Sequence, residues 1–356
     1  MGFLKGGLTF SRFSIVGRNG DDSAEMVDKQ IKAHAFRDFF PVEAERNLGW
    51  TGIEDILDTS FAFAHYAFGA YRLFTLRIDR RMAPPSLVKI RCLEGERRFL
   101  AENRVKKLYK DQREAIRESV RIELMAAAQP IPSFFEVAWS VGDGTVLFTS
   151  LSQKIVQEFL DLFKQTFGIV LQPHLPWDPA LLDTHQISPA FLGREFLTWL
   201  WCKSEERNGM IHTTAFGEIE ISFVRRLALE SGEGEYTESV VCQGQHADLR
   251  EGKEALRQGK KIREARIILG RDGAKWEFTF KADTFQFSSL KLPVPAEMDQ
   301  EEDGDRSGRT LERMYLTETA IRTMDDLFAQ FLSQRLSEQW PSEIARIGKW
   351  ASGSDS

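Results

Sequence analysis

Prolines bracket one stretch of this chain and limit what it can become. Pro84 and Pro85 stand before it, and Pro130 and Pro132 stand after it. Proline suits the first turn of a helix, where its missing N–H costs nothing. The residue before a proline is pushed away from helical angles, so Pro130 and Pro132 act as stops. The spacing predicts a helical stretch from 84 to about 128, divided at Gly95 into a short and a long helix. β-rich runs flank it on both sides. A helical block inserted between strands excludes a regular alternation of strand and helix, and the expected class is α+β.

The remaining pattern supports that class. The run LTFSRFSIV at 8–16 alternates apolar and polar residues and reads as a strand. A slip or bulge inside it would bring Leu8, Phe10, Phe13 and Ile15 to one inward face. Ser23 is placed to cap a helix over 24–36. The runs 61–68 and 70–78 read as a hairpin about Gly69, and 134–139 with 145–149 as a second one about Gly142, Asp143 and Gly144. Ser152 starts a helix ending near Phe167, followed by a short strand at 169–171. A four-proline connection covers 173–189, and a strongly apolar helix follows at 191–203. Strands are expected near 217–229, 237–243, 261–270, 274–281 and 284–291, with a helix at 247–258. Six acids in the nine residues 297–305 cannot bury a face and read as a linker. The final helical region, 308–348, is interrupted at Pro341.

The expected architecture is therefore multi-lobed, with antiparallel sheets, helices and a long charged helical projection. Its divisions are an N-terminal α+β lobe at 1–83, the basic helical projection at 84–132, α+β lobes at 133–295, an acidic linker at 296–307 and a helical region at 308–356.

Familiar catalytic and ligand-binding patterns are missing. The sequence contains no P-loop, no G-x-G-x-x-G and no G-x-S-x-G. Its six histidines never occur at the spacing of a helical metal pair. Cys92, Cys202 and Cys242 are too few and too scattered for a disulfide framework, and read as reduced thiols. The opening MGFLKGGLTFSRF has no apolar core, so no secretory signal is expected. No run approaches the roughly 18 apolar residues of a membrane span. The expectation is a cytoplasmic protein with no cofactor, no bound metal and no catalytic residues. A metal-dependent nuclease remains the enzymatic alternative, with Asp178, Asp183 and Glu195 as the acids to consider.

Charge is distributed unevenly. The chain carries 47 Lys/Arg and 53 Asp/Glu, a net charge of −6. Residues 72–121 hold fifteen Lys/Arg and seven Asp/Glu, a local +8 that leaves −14 for the rest. Lys106, Lys110, Arg113, Arg117 and Arg121 recur at steps of three and four, which would align them along one helix face beside Arg104 and Lys107. A second cluster at 250–271 has eight Lys/Arg and three Asp/Glu. There Lys260, Lys261 and Arg263 follow Gly259 at a helix-to-strand turn. Such cations can hold backbone phosphates without reading sequence, and binding of that kind is strongly salt-dependent. The competing reading is a solvated surface with local ion pairs such as Glu114 with Arg117 and Glu118 with Arg121. No helix-turn-helix, zinc finger or RNA-binding aromatic signature is visible.

Most aromatics read as core, including Phe159, Phe163, Phe167, Phe196, Trp199 and Trp201. The stripe Leu311, Tyr315, Ile321, Met324, Leu327, Phe328, Phe331 and Leu336 fits either core or a subunit interface. Phe134 and Phe135, after the Pro-x-Pro turn, are candidates for a dimer contact.

An ordered set of motifs resembles the RdgC family of recombination-associated proteins. It comprises the opening FLKGGLTFSRF, the triplet Leu48, Gly49 and Trp50, and the Pro84, Pro85 entry into a charged helix. It continues with Trp139, the strand beginning at Gly144, the helix ending at Gly168, the block from Glu195 to Trp201 and the turn at Gly259. The resemblance implies a nucleoid-associated, non-enzymatic protein forming a ring-shaped homodimer. Such a ring has a basic lining, encloses double-stranded DNA without sequence preference and restrains RecA-promoted strand exchange. Single-stranded DNA stays open as a second substrate. Two places depart from the family pattern. Gln129, Pro130, Ile131, Pro132 and Ser133 precede Phe134 where the family has a Pro-Arg-Ala-Phe-like element, and His246 with Ala247 stands in place of a Lys-Gln pair. A protein-interaction scaffold binding an acidic partner is the second alternative.

Overall fold

The computed structural model describes residues 2–17, 23–39, 44–189, 191–231, 238–244, 250–293 and 306–353. The acidic segment 297–305 and the departure at His246 and Ala247 lie outside the described residues. The fold is mixed α+β, with a large antiparallel sheet and ten helices among the described residues.

The chain begins with β1 (Leu8–Val16), α1 (Ala24–Ala33), β2 (Arg46–Thr51), a short α2 (Phe63–Tyr66), β3 (Ala67–Phe68) and β4 (Tyr71–Arg80). Two helices follow, α3 (Pro85–Asn103) and α4 (Lys110–Ala127). Next come β5 (Ile131–Ser140), β6 (Thr145–Phe148), α5 (Gln153–Phe167) and β7 (Val170–Pro173). The second half runs α6 (Pro179–Thr184), α7 (Leu192–Glu206), β8 (Met210–Thr213), β9 (Gly217–Glu230) and β10 (Ser239–Gln243). It ends with α8 (Arg250–Arg257), β11 (Lys261–Arg271), β12 (Ala274–Lys281), β13 (Gln286–Lys291), α9 (Arg306–Arg335) and α10 (Trp340–Ser352).

The strand order is β10-β9-β11-β12-β13-β1-β6-β5-β4-β2, with β3, β7 and β8 attached at β4, β1 and β9. β1 joins the two halves. Its start pairs with β13, while its remainder pairs with β6 and β7. Two hydrophobic clusters lie against this sheet. Leu8 and Phe10 belong to one, with α7, α9 and the later strands; Phe13 belongs to the other, with α5, Trp50 and Trp139.

This corrects the expected slip within β1. Alternate residues of a strand point to opposite faces. Here both faces are covered, so Phe10 and Phe13 are both buried without any slip between them. The irregularity lies across the ladder instead. Leu8 faces Leu290 while Phe10 faces Phe287, so the extra residue is on β13, where Ser289 has φ 52°. A residue inserted on one strand bends the pair and increases its twist.

Aromatic residues fill both cores, as their sequence positions predict. Phe148 stacks on Phe159 at 4.1 Å between ring centroids, and the Trp50 indole N–H donates to Thr166 Oγ1 at 2.9 Å. In the other core Phe196, Phe285, Phe328 and Phe331 form a contiguous group. The stripe on α9 divides. Ile321, Met324, Leu327, Phe328 and Phe331 are buried, whereas Tyr315 is 62% exposed. Four buried threonines of α9 (310, 317, 319 and 323) each donate a hydroxyl hydrogen bond to the carbonyl four residues back. That satisfies a polar group on a face that is otherwise apolar. Arg12, on the same side of β1 as Phe10, anchors α9 through a bidentate pair with Asp325 at 2.9 and 2.7 Å.

The helical stretch divides at a different place from the one expected. α3 runs through Gly95 and ends at Arg104, which adopts φ 54°. Gly95 marks the closest approach of the two helices. A Cβ there would lie 2.9 Å from Ile116 Cγ2 on α4. The turn between the helices is held by Leu108, which is buried, and by Gln112 Oε1 accepting from the Tyr109 N–H at 3.0 Å. Two smaller corrections follow the same logic. Residues 63–66 form a turn of helix rather than strand, and Pro341 opens α10 instead of interrupting one helix.

Candidate nucleic-acid interface

The α3–α4 hairpin leaves the sheet between β4 and β5, which pair directly with each other from Tyr71 with Ser140 to Arg80 with Ile131. No residue of either helix is buried. The hairpin, 85–127, carries eleven Lys/Arg and seven Asp/Glu. The local excess of +8 over 72–121 is therefore shared. Arg72, Arg77, Arg80 and Arg81 lie on or beside β4, where Asp79 holds Arg77 at 2.7 and 2.8 Å.

On the hairpin, Lys110, Arg113, Arg117 and Arg121 occupy one face of α4. Lys106 falls in the connecting turn with Lys107, and Arg104 caps α3, so these three crown the tip rather than extend the helical row. Arg104, Lys106, Lys107, Arg113 and Arg117 are exposed and make no ion pair among the described residues. The intrahelical pairs anticipated for α4 do not form. Lys110 reaches Glu114 at 3.8 Å, and Arg121 pairs with Glu45 at the root. Periodicity within α4 overlooked three further cations, Lys89, Arg97 and Arg98 on α3, which are also exposed and unpaired among the described residues. The antiparallel packing of α3 on α4 was the signal needed to find them.

The second basic cluster is built differently. Lys260 is only 8% exposed, and its ammonium bonds Glu238 at 3.0 Å. Lys261 lies 3.9 Å from Glu195 and 4.7 Å above the Phe191 ring. Arg263 pairs with Glu230 on β9. Lys260 and Arg263 are each hydrogen-bonded to a carboxylate, and Lys261 only approaches one. Six strand steps separate β11 from β4 along the sheet, roughly 30 Å at the usual interstrand spacing. The two clusters do not meet within one chain.

Phe134 and Phe135 point to opposite faces of β5. Phe135 packs into the core and lies 5.9 Å from the Phe148 ring. Phe134 is 37% exposed and sits beside its cross-strand neighbour Arg77, whose guanidinium is 5.9 Å from the ring. Only Phe134 is presented for a contact.

Two of the three acids considered for a nuclease have structural partners. Asp178 Oδ1 caps α6 by accepting from the Ala180 N–H at 2.9 Å. Glu195 accepts from Arg335 Nε at 3.0 Å, and Asp183 is exposed on α6. Among the described residues no group of three or more His, Cys, Asp or Glu side chains is arranged to hold a metal ion. The three cysteines are free, and burial followed by Glu206 pushes the Cys202 thiol up to about 12. No helix of the described residues is long and apolar enough to cross a membrane. No protein-family model and no curated protein matches the sequence.

Proposed function

We propose that this chain is a non-enzymatic DNA-binding protein of the RdgC type, which grips the backbone of double-stranded DNA without sequence preference. The observation that supports this reading is the hairpin's set of exposed cations with no carboxylate among the described residues to neutralise them. A cation already paired must break that pair to hold a phosphate. An unpaired one exchanges only water and counterions. Flexible lysines and arginines on a helical projection can follow a phosphate backbone but carry little information about bases.

In this reading the protein acts as a ring-shaped homodimer, with the hairpins lining the opening and Phe134 at one contact. It is cytoplasmic and nucleoid-associated, needs no cofactor, and restrains RecA-promoted strand exchange by occupying DNA. Single-stranded DNA stays open as a second substrate. The test is fluorescence anisotropy with two duplexes of unrelated sequence across a salt series. Equal affinities are expected, with log K falling against log salt at a slope of about −4 to −5 for some five phosphate contacts. Absence of binding at low salt overturns the reading.

A second reading has its own observation. Leu87, Ile90 and Leu93 recur at steps of three on α3 and are all exposed, Ile90 by 52%. That stripe suits a protein partner, and a homodimer that ignores DNA at low salt would favour an interaction scaffold.

A further inference from the structure

We propose that the groove between α8 and α10 binds an amphipathic carboxylate, a long apolar chain with one anionic head. The groove has a volume of about 630 Å³, within the usual range for small-molecule sites. Leu256, Trp340, Ile344 and Ile347 give it apolar walls. Along α10 the last three are spaced by four and three residues, so they form a continuous strip. A duplex backbone has nothing to place on such a strip. An alkyl chain does.

The cationic end is set by Lys261 and Arg335. Both approach Glu195, and Arg335 also covers the Trp340 ring at 5.0 Å, next to the start of the strip. Neither is fully used. Arg335 donates only its Nε to Glu195, so its terminal nitrogens have no hydrogen-bond partner among the described residues. Lys261 lies 3.9 Å from Glu195, too far for a hydrogen bond, so its ammonium has donors to offer. Arg257 and Lys260 also line the groove, but they are held by Glu254 at 2.8 Å and Glu238 at 3.0 Å, so the head falls to Lys261 and Arg335, which share the one carboxylate of Glu195. The lining is complementary to an anion whose remainder is apolar.

Gly348 keeps the groove open. It lies inside α10, where glycine is less favourable than alanine. Its φ is not in the left-handed region, and a Cβ there would meet no heavy atom within 4 Å. Neither backbone geometry nor packing demands glycine at this position. A side chain there would occupy the space between the walls.

The experiment is a fluorescence titration of the full chain with dansyl-undecanoic acid. One saturable site is expected, displaced by palmitate and not by duplex DNA. Gly348→Leu should weaken it by about tenfold or more while the circular dichroism spectrum is kept. Lys261→Gln, a surface change that tests the head alone, should weaken it several-fold. Lys106→Glu with Lys107→Glu on the hairpin should leave it unchanged. The proposal is overturned by a lack of saturable binding, by native affinity in either groove variant, or by displacement with DNA.

Discussion

The cations of the α3–α4 hairpin and those at the start of β11 differ in what stands beside them. On the hairpin, most lysines and arginines face water and have no acid at hand. At β11 cations and acids meet across the ladder to the neighbouring strands. Arg263 meets Glu230, Arg226 meets Glu264, and Arg266 meets Glu277 at 2.9 Å. A sheet fixes each side chain beside its diagonal neighbours on the next strand, so opposite charges there are paired by register. A two-helix hairpin with no buried residue in either helix has only its own helical steps to pair them, and surface pairs of that kind are weak. Two segments of similar basic composition thus differ in the quantity that decides whether they can meet an anion.

That contrast can be broken by experiment. Arg12→Ala should cost about 3 kcal/mol in urea unfolding, because it strips a buried guanidinium from Asp325 and unpins α9. A cost below about 1 kcal/mol would mean that ion pairs of the body are as dispensable as those of the hairpin. Lys106→Glu, Lys107→Glu and Arg113→Glu together should lower duplex affinity about 100-fold at moderate salt and flatten the salt slope by about 2.7. The same triple variant should keep its stability within about 0.5 kcal/mol. Gly95→Leu should force α3 and α4 apart at Ile116, costing about 1–3 kcal/mol. Hydrogen exchange should rise over 85–127 and stay unchanged in the sheet, which locates that cost in the hairpin. Lys260→Ala should cost about 1 kcal/mol and leave DNA affinity alone, the reverse of the hairpin variants.

The smallest expected effect is a pH dependence at the seam between the cores. His174 is held below its ordinary value, first by burial and then by the Arg12 charge. The unfolded chain therefore takes up a proton that the folded chain resists. Stability from this source is present at neutral pH and is lost as pH falls through about 6.5 towards the folded value. The urea midpoint should drop between pH 7 and pH 5.5, and His174→Asn should reduce that drop.

Much of the fold is legible because local chemistry decides it. Gly144 at φ 64° turns β5 into β6, and Gly168 at φ 69° ends α5, as their places in the sequence predict. β1 spans 8–16, and Ser23 Oγ accepts from the Met26 N–H to cap α1. What escaped the sequence depends on distant neighbours. Gly95 reads as a helix breaker until Ile116 is placed against it. The break at Arg104 depends on Leu108 folding under the turn. Phe134 and Phe135 cannot be told apart until α5 covers one face of β5. Lys260 reads as a solvated turn cation and is buried, because Glu238, 22 residues earlier, accepts a hydrogen bond from its ammonium. The site divides in the same way. The tip cations of the hairpin are visible as sequence, whereas the groove beside Lys261 requires α9 and α10 to be packed against α7 and α8.

The sharing of β1 between two cores has a consequence for synthesis. Leu8 is made 282 residues before its partner, Leu290. At about 5–20 residues per second, the ribosome needs roughly 14–56 s to deliver it. During that interval the start of β1 is an unpaired edge, open to any other strand. Ser11, Arg12 and Ser14 interrupt its apolar run, and the buried guanidinium that later secures α9 serves meanwhile as a charge on that edge. A neutral apolar residue at position 12 should therefore reveal itself first during expression, as insoluble nascent chains.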